Sequence, residues 1–385
     1  MSRSWDVFCR VIDNFGDAAV CWRLAKQLAS EHGGRVRLWI DELPALRALC
    51  AEVDASRDAQ RVSGVDVHRW TADAAFGEPV EIAIDAFGCG LPEPYAEAMA
   101  ARRPRTLWII LEYLSAEPWV ATHHRMPSPH PRLPLERFFF FPGIGPGTGG
   151  VLHESGFEAR REAFTESPHA RTQFWRRFGF AAPEGGVRTV SLFGYENDAV
   201  GPLLQAWADG PERVVVAVTE SRLKGQVAAF FDTETPESGQ ALGRRSLEAR
   251  FLPFLSQHGY DELLWACDWN FVRGEDSFVR AQWARRPFVW HIYPQADDAH
   301  FRKLNAFLDV YCTGLDPGSE AALRSLWTAW NRPDPGREGR LRTAWEALGG
   351  DREGLHRHAA AWAGRLTLAG DLAGNLAQYC DERLK

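Results

Sequence analysis

What the chain lacks narrows its function before anything it contains. Seven cysteines (Cys9, Cys21, Cys50, Cys89, Cys267, Cys312 and Cys380) are scattered over 385 residues without one CxxC pair. That spacing offers neither a zinc site nor a redox dithiol, so buried free thiols are expected. No window approaches twenty uncharged apolar residues, and no membrane span is expected. Met1 to Trp5 lead straight into an aspartate-bearing strand without the apolar stretch of a secretion signal, which makes a cytoplasmic protein the expectation. No long Lys/Arg run offsets the formal net charge of −7, which argues against a nucleic-acid partner.

What is present fits a globular α/β protein. Hydrophobic residues at 45% and charged residues at 25% are ordinary values, and the length suggests two domains. Sixteen tryptophans invite carbohydrate stacking, yet core packing is the better expectation for most of them.

The first third alternates as a parallel α/β domain does. Strands are expected over 5–12, 36–40, 80–87 and 106–111, and helices over 18–31, 43–50 and 94–101. An irregular excursion follows over 115–134, then a strand at Phe138–Phe141 that enters a glycine-rich stretch, 143–150. Pro146 and Thr148-Gly149-Gly150 oppose the helix start that a dinucleotide fingerprint needs, so an interdomain segment is the better reading. A second alternation has strands over 187–193, 213–218, 247–252, 269–272 and 287–292, with helices over 199–208, 221–230, 260–267 and 277–284. Beyond Ala296 the chain reads as mainly helical. The expected division is 1–150, 151–360 and a final helix, 361–385, that crosses back to the first domain.

Two polar segments stand where strands should hand over to helices, the usual place for ligands in open α/β sheets. The first is Asp13-Asn14-Phe15-Gly16-Asp17. Asp17 either caps the following helix while Asp13 closes a turn, or both carboxylates face a ligand and hold a cationic or hydroxyl acceptor. Gly16 has no side chain to obstruct close approach. The second is Arg273-Gly274-Glu275-Asp276-Ser277. A strand ending in Arg-Gly and opening a helix at Asp-Ser offers backbone N–H groups, a hydroxyl and a guanidinium to a diphosphate. Glu275 would then accept hydrogen bonds from a sugar hydroxyl; the alternative is a surface ion-pair cluster. Phe193, Tyr195 and Phe254 lie at other strand ends, where they either border a flat base or belong to the core, and Gln257 offers a polar edge beside them.

These segments resemble one family. The matching runs are Phe8-Cys9-Arg10-Val11-Ile12-Asp13-Asn14-Phe15-Gly16-Asp17 with Val20-Cys21-Trp22-Arg23-Leu24-Ala25, then Ser191-Leu192-Phe193-Gly194-Tyr195-Glu196-Asn197. The strongest is Phe271 through Trp283, continuing as Pro287-Phe288-Val289-Trp290-His291-Ile292-Tyr293-Pro294-Gln295. The chain is similar to the EarP family of protein-arginine rhamnosyltransferases, which modify translation elongation factor P. The resemblance implies a GT-B glycosyltransferase, two Rossmann-like domains facing across a cleft, working without a metal or other cofactor. It implies dTDP-β-L-rhamnose as donor, held mainly by the second domain, and an arginine of elongation factor P as acceptor, with inversion at the anomeric carbon.

Carried over by position, Asp17 matches the general base with Asp13 beside it, and Glu275 matches a second essential carboxylate. Asn14, Phe15, Gly16, Asp17, Tyr195, Gln257, Arg273, Gly274, Glu275, Asp276 and Ser277 match donor contacts, and Phe193 and Phe254 match aromatic walls. Leu255-Ser256-Gln257 departs from the family, which usually has proline before the glutamine. Two rival readings remain at this point: a Rossmann-type oxidoreductase using 143–150, and a non-enzymatic acidic module that docks on a translation factor.

Overall fold

The computed structural model describes residues 3–13 and 15–385. It divides into two compact units, Met1–Ser155 with Arg365–Lys385, and Gly156–Gly364.

The first unit is built on strands β1 (Ser4–Cys9), β2 (Arg35–Ile40), β3 (Ala59–Val62), β4 (Val65–Arg69), β5 (Ile82–Ala86), β6 (Leu107–Leu111), β7 (Pro127–Pro129) and β8 (Glu136–Phe140). Among the described residues they form one sheet in the order β3-β4-β2-β1-β5-β6-β8-β7, parallel except where β3 and β7 pair antiparallel at the two edges. Helices α1 (Gly16–Ser30), α2 (Leu43–Leu49), α3 (Glu93–Ala101) and α4 (Trp119–His123) connect them. The central strands are buried on both faces, as parallel strands covered by helices must be.

Asp6 of β1 is a charged residue built into this core. Asp6 is fully buried, and both its oxygens accept from Arg37 at 2.5 Å, with further donors in Trp39 and Tyr95. Asp6 and Arg37 are also register partners across β1 and β2, so the ion pair favours this register of the two strands.

The second unit opens with α5 (Phe157–Thr165) and α6 (Pro168–Arg176), then carries β9 (Arg188–Leu192), β10 (Val214–Val218), β11 (Ala241–Arg244), β12 (Leu247–Phe251), β13 (Trp269–Arg273) and β14 (Phe288–His291). The sheet order is β11-β12-β10-β9-β13-β14, parallel except for β11. Helices α7 (Val200–Asp209), α8 (Leu223–Phe230), α9 (Gln257–Ala266) and α10 (Asp276–Trp283) alternate with the strands. Then come α11 (Ala299–Tyr311), α12 (Pro317–Asn331), α13 (Arg337–Gly349) and α14 (Arg352–Leu366). The last helix, α15 (Leu372–Arg383), belongs to the first unit, where Asp381 accepts from Arg3 at 2.7 Å and Asp371 accepts the His153 N–H at 3.0 Å.

Both sheets have the doubly wound pattern, in which strand order reverses beside the first strand. The reversal lies at β1/β5 in one unit and at β9/β13 in the other. Crevices form at the carboxyl ends of strands at such reversals.

Several expectations need correction. The strand expected over 5–12 ends at Cys9, because the next N–H groups bond to carboxylates rather than to a neighbouring strand. The hairpin of β3 and β4 was not foreseen; its turn, Ser63-Gly64, has φ of 48° and 82°, the pairing of left-handed residues that two-residue hairpins favour. Helices α5 and α6 were also missed, although Ser167-Pro168 is a start signal: Ser167 caps α6 by accepting the Ala170 N–H at 3.1 Å. Gly143 to Gly150 fold back on themselves, Gly143 donating to the Gly150 carbonyl at 3.0 Å, and no helix opens there. Cys50 and Cys89 are half-buried rather than buried, while all seven thiols are free. Every tryptophan except Trp119 is buried.

Candidate active site

In the first unit the site begins where β1 stops. Helix α1 starts at Gly16, one residue before Asp17, so Asp17 lies inside the first turn and does not cap it. Its carboxylate turns back instead: Oδ2 accepts the N–H groups of Ile12 at 2.8 Å and Asp13 at 2.9 Å. Oδ1 accepts the hydroxyl of Tyr113 at 3.0 Å. Asp17 is only 1% exposed.

Glycine at 16 leaves room for the neighbouring carboxylate. A Cβ there would lie 2.9 Å from Asp13 Oδ2, so any other residue would require that carboxylate to shift. Asp13 and Asp17 therefore share one turn. Phe15 stands just outside the helix as its N-terminal flanking residue. Asn14 lies outside the described residues.

Tyr113 was not singled out by the sequence reading. It follows β6, and its ring stacks on Phe87, which follows β5, with centroids 4.3 Å apart and planes at 13°. The signal was present, since both residues stand directly past strands of the same sheet, yet nothing in the sequence says that β1, β5 and β6 lie side by side.

In the second unit the site lies past β9 and β13. Arg273 ends β13 and is buried. Its guanidinium carbon sits 4.8 Å from the Phe193 ring centroid and 4.6 Å from that of Tyr195. The two rings expected to border a base thus flank the arginine, an arrangement that suits its planar charge. Tyr195 also meets His291 and Tyr293 edge-on, at 5.2 and 5.5 Å.

The turn after Arg273 is pinned from below. Gly274 has φ +65°, a conformation that favours glycine, and its carbonyl accepts the Trp290 indole N–H at 2.9 Å. Trp290 in turn stacks on Phe278 of α10 with centroids 3.9 Å apart. Glu275 is the residue flanking α10, and Asp276 opens the helix. Ser277 is the second residue of the helix. Its hydroxyl donates to the Arg273 carbonyl, one turn back, so its oxygen remains only an acceptor. Donors for an anion at this end are therefore backbone N–H groups and the Arg273 guanidinium.

Gln257 is the first residue of α9 and is buried, rather than lying in a loop. Ser256 caps that helix, accepting the Gly259 N–H at 3.2 Å, which gives the serine at this departure from the family a purpose. Phe254 is half-buried in the segment joining β12 to α9.

The family model for elongation factor P (EF-P) rhamnosyltransferase EarP matches residues 5–381. The chain belongs to the EarP family. A protein-arginine rhamnosyltransferase of Pseudomonas putida is 43% identical over 379 residues, covering 98% of this chain and 99% of its own. A solved structure described as the basis of EarP-mediated arginine glycosylation of translation elongation factor EF-P is 33% identical, covers 99% of each chain and gives a TM-score of 0.71. Phytolacca americana UGT2, solved with UDP-2-fluoro-glucose and pterostilbene, is 12% identical with a TM-score of 0.54 and speaks for the fold alone. The fold is GT-B, and the protein is a glycosyltransferase enzyme of the EarP family.

One family segment left without a role by the sequence reading holds a titratable group. His291 ends β14 and is buried against Tyr195 and Trp330. Burial, then the facing charge of Arg273 on β13 and His300 on α11, push its imidazole down to about 3. It is therefore neutral at working pH and adds no charge against Arg273. An unfolded histidine takes up its proton below about 6.5, whereas the folded protein resists doing so until about 3. Stability is therefore lost as pH falls through this window, by about 1.4 kcal/mol per pH unit for one such group. Urea unfolding of the wild type and His291→Phe between pH 7 and 5 checks this: the variant should lose one proton's worth of the acid slope. Equal slopes would show that His291 does not stay neutral in the fold.

Proposed function

We propose that this enzyme transfers L-rhamnose from dTDP-β-L-rhamnose to a guanidino nitrogen of an arginine in elongation factor P, with inversion at the anomeric carbon. Membership of the EarP family over nearly the whole chain carries this reading. The geometry supports it: an acidic turn past β1 suits a cationic acceptor, and Arg273 with the start of α10 suits a diphosphate leaving group.

The chemistry has one difficulty, and magnitude locates it. Arginine has a pKa of about 12.5–13.8 and aspartate about 3.9, so full proton transfer in the ground state would cost roughly 12 kcal/mol. No aspartate can hold a useful amount of neutral guanidine. In the proposed mechanism Asp13 and Asp17 bind and orient the guanidinium through charge-assisted hydrogen bonds. The proton leaves toward Asp17 only as the C–N bond forms, when the nitrogen has become much more acidic. Arg273 and the N–H groups at the start of α10 stabilise the departing dTDP, so the reading needs no metal ion. Glu275 would hold the sugar through its hydroxyls, and Phe254 and Gln257 would contact the base.

The test is mass spectrometry of elongation factor P after incubation with the enzyme and dTDP-β-L-rhamnose. One deoxyhexose on one arginine is expected, and NMR of the glycopeptide should show the anomeric configuration opposite to the donor's. An unmodified factor would refute the activity, and a retained configuration would refute the single displacement.

A further inference from the structure

We propose that Tyr113 is a catalytic residue, through whose hydroxyl the acceptor's proton reaches Asp17. The inference rests on the rhamnosyl-transfer reading above.

It starts from the hydrogen bonds that Asp17 already makes. Each carboxylate oxygen has about two lone-pair sites. Oδ2 uses both, on the Ile12 and Asp13 N–H groups at 2.8 and 2.9 Å. Oδ1 holds the Tyr113 hydroxyl at 3.0 Å. With Asp17 only 1% exposed, the basic oxygen still able to take a proton is the one that Tyr113 covers. Tyr113 itself is only half-buried, so the residue that covers Asp17 Oδ1 is less enclosed than Asp17.

The ring behind that hydroxyl is held at a cost. Phe87 has φ +59°, a left-handed conformation that a bulky L-residue adopts only under constraint, on the order of 1–3 kcal/mol. Its N–H donates to the Leu111 carbonyl at 2.6 Å, which ties it to the strand preceding Tyr113. The strained residue presents its face flat against the Tyr113 ring, 4.3 Å away. Strain of this kind persists where the surroundings fix it, and here it sets the plane of a phenol that touches the base.

The step balances as a two-proton relay. One guanidinium N–H proton moves to Tyr113 Oη while the Tyr113 hydroxyl proton moves to Asp17 Oδ1. The nitrogen's electron pair forms the C–N bond as the C–O bond to the diphosphate breaks, its electrons leaving on the diphosphate oxygen. Tyr113 ends as it began, as a phenol. Asp17 ends protonated, and the glycosylated guanidinium keeps its positive charge.

Tyr113→Phe removes the hydroxyl and keeps the stack on Phe87. Its single-turnover rate should fall by about 10²–10⁴-fold, the usual worth of a positioned proton-transfer group, with dTDP-rhamnose affinity and thermal midpoint unchanged. A purely structural role would not change the number of protons in flight. Single-turnover rates in mixed H₂O and D₂O should therefore curve with deuterium fraction in the wild type and become linear in Tyr113→Phe. A linear wild-type dependence, or a Tyr113→Phe rate equal to wild type, overturns the relay while leaving rhamnosyl transfer intact. Failure of the wild type itself to transfer rhamnose would instead remove the underlying reading, and the relay with it.

Discussion

Asp17→Asn should lower turnover by about 10²–10⁴-fold, the range expected for loss of a general base, while dTDP-rhamnose still binds with nearly wild-type affinity. The substitution is clean because of how the side chain is held. An asparagine oxygen can accept the Ile12 and Asp13 N–H groups, as Oδ2 now does at 2.8 and 2.9 Å, so the turn keeps its shape. The amide nitrogen would then face Tyr113 as a donor where Oδ1 was an acceptor. Geometry survives and basicity does not. Asp13→Asn should cost less, since it weakens the hold on the guanidinium without removing the proton's destination. Stopped-flow transfer rates and calorimetric titration of the donor separate the two effects. Wild-type turnover in Asp17→Asn would remove it as the base, and a large loss of donor affinity would give it a structural role instead.

The two strand-to-helix junctions were legible because strand-end chemistry is written locally. A β-rich run followed by Asp-Asn-Phe-Gly-Asp, or by Arg-Gly-Glu-Asp-Ser, marks a strand-to-helix junction whatever the rest of the fold does. Local sequence does not say which strands become neighbours. Phe87 and Tyr113 sit 26 positions apart in sequence, and only the order β1-β5-β6 brings them past adjacent strands and within reach of Asp17. The same limit explains Phe193 and Tyr195. Their place at a strand end was readable, but their stacking on Arg273 depends on β9 lying beside β13. Ser277 shows a different limit. A hydroxyl at a helix start has two uses, and bonding back to the carbonyl four residues earlier competes with any ligand.

The largest expected loss of stability comes from breaking the buried ion pair between α9 and α10. Arg280 of α10 meets Asp261 of α9 through two parallel hydrogen bonds, both at 2.8 Å, with side chains 0% and 3% exposed. The guanidinium also lies 4.1 Å from the Phe157 ring centroid, so little room is left for water. Taking two charges out of water is costly, and the pair offsets that only while both members are present. Asp261→Ala removes the carboxylate that Arg280 meets in the core of the second unit and should destabilise it by about 3–5 kcal/mol. Because Arg280 lies one turn beyond Ser277 on the same helix, donor affinity should fall as well. Replacing both residues, Asp261→Leu with Arg280→Met, should recover most of the stability, since apolar side chains of similar size can replace a buried pair at little cost. The double-mutant cycle, read by urea unfolding, decides the matter. Additive losses in the double variant would mean that each charge is stabilised separately by its surroundings; a rescue would show that the two charges answer chiefly to each other and that α10 is held in place by that bond.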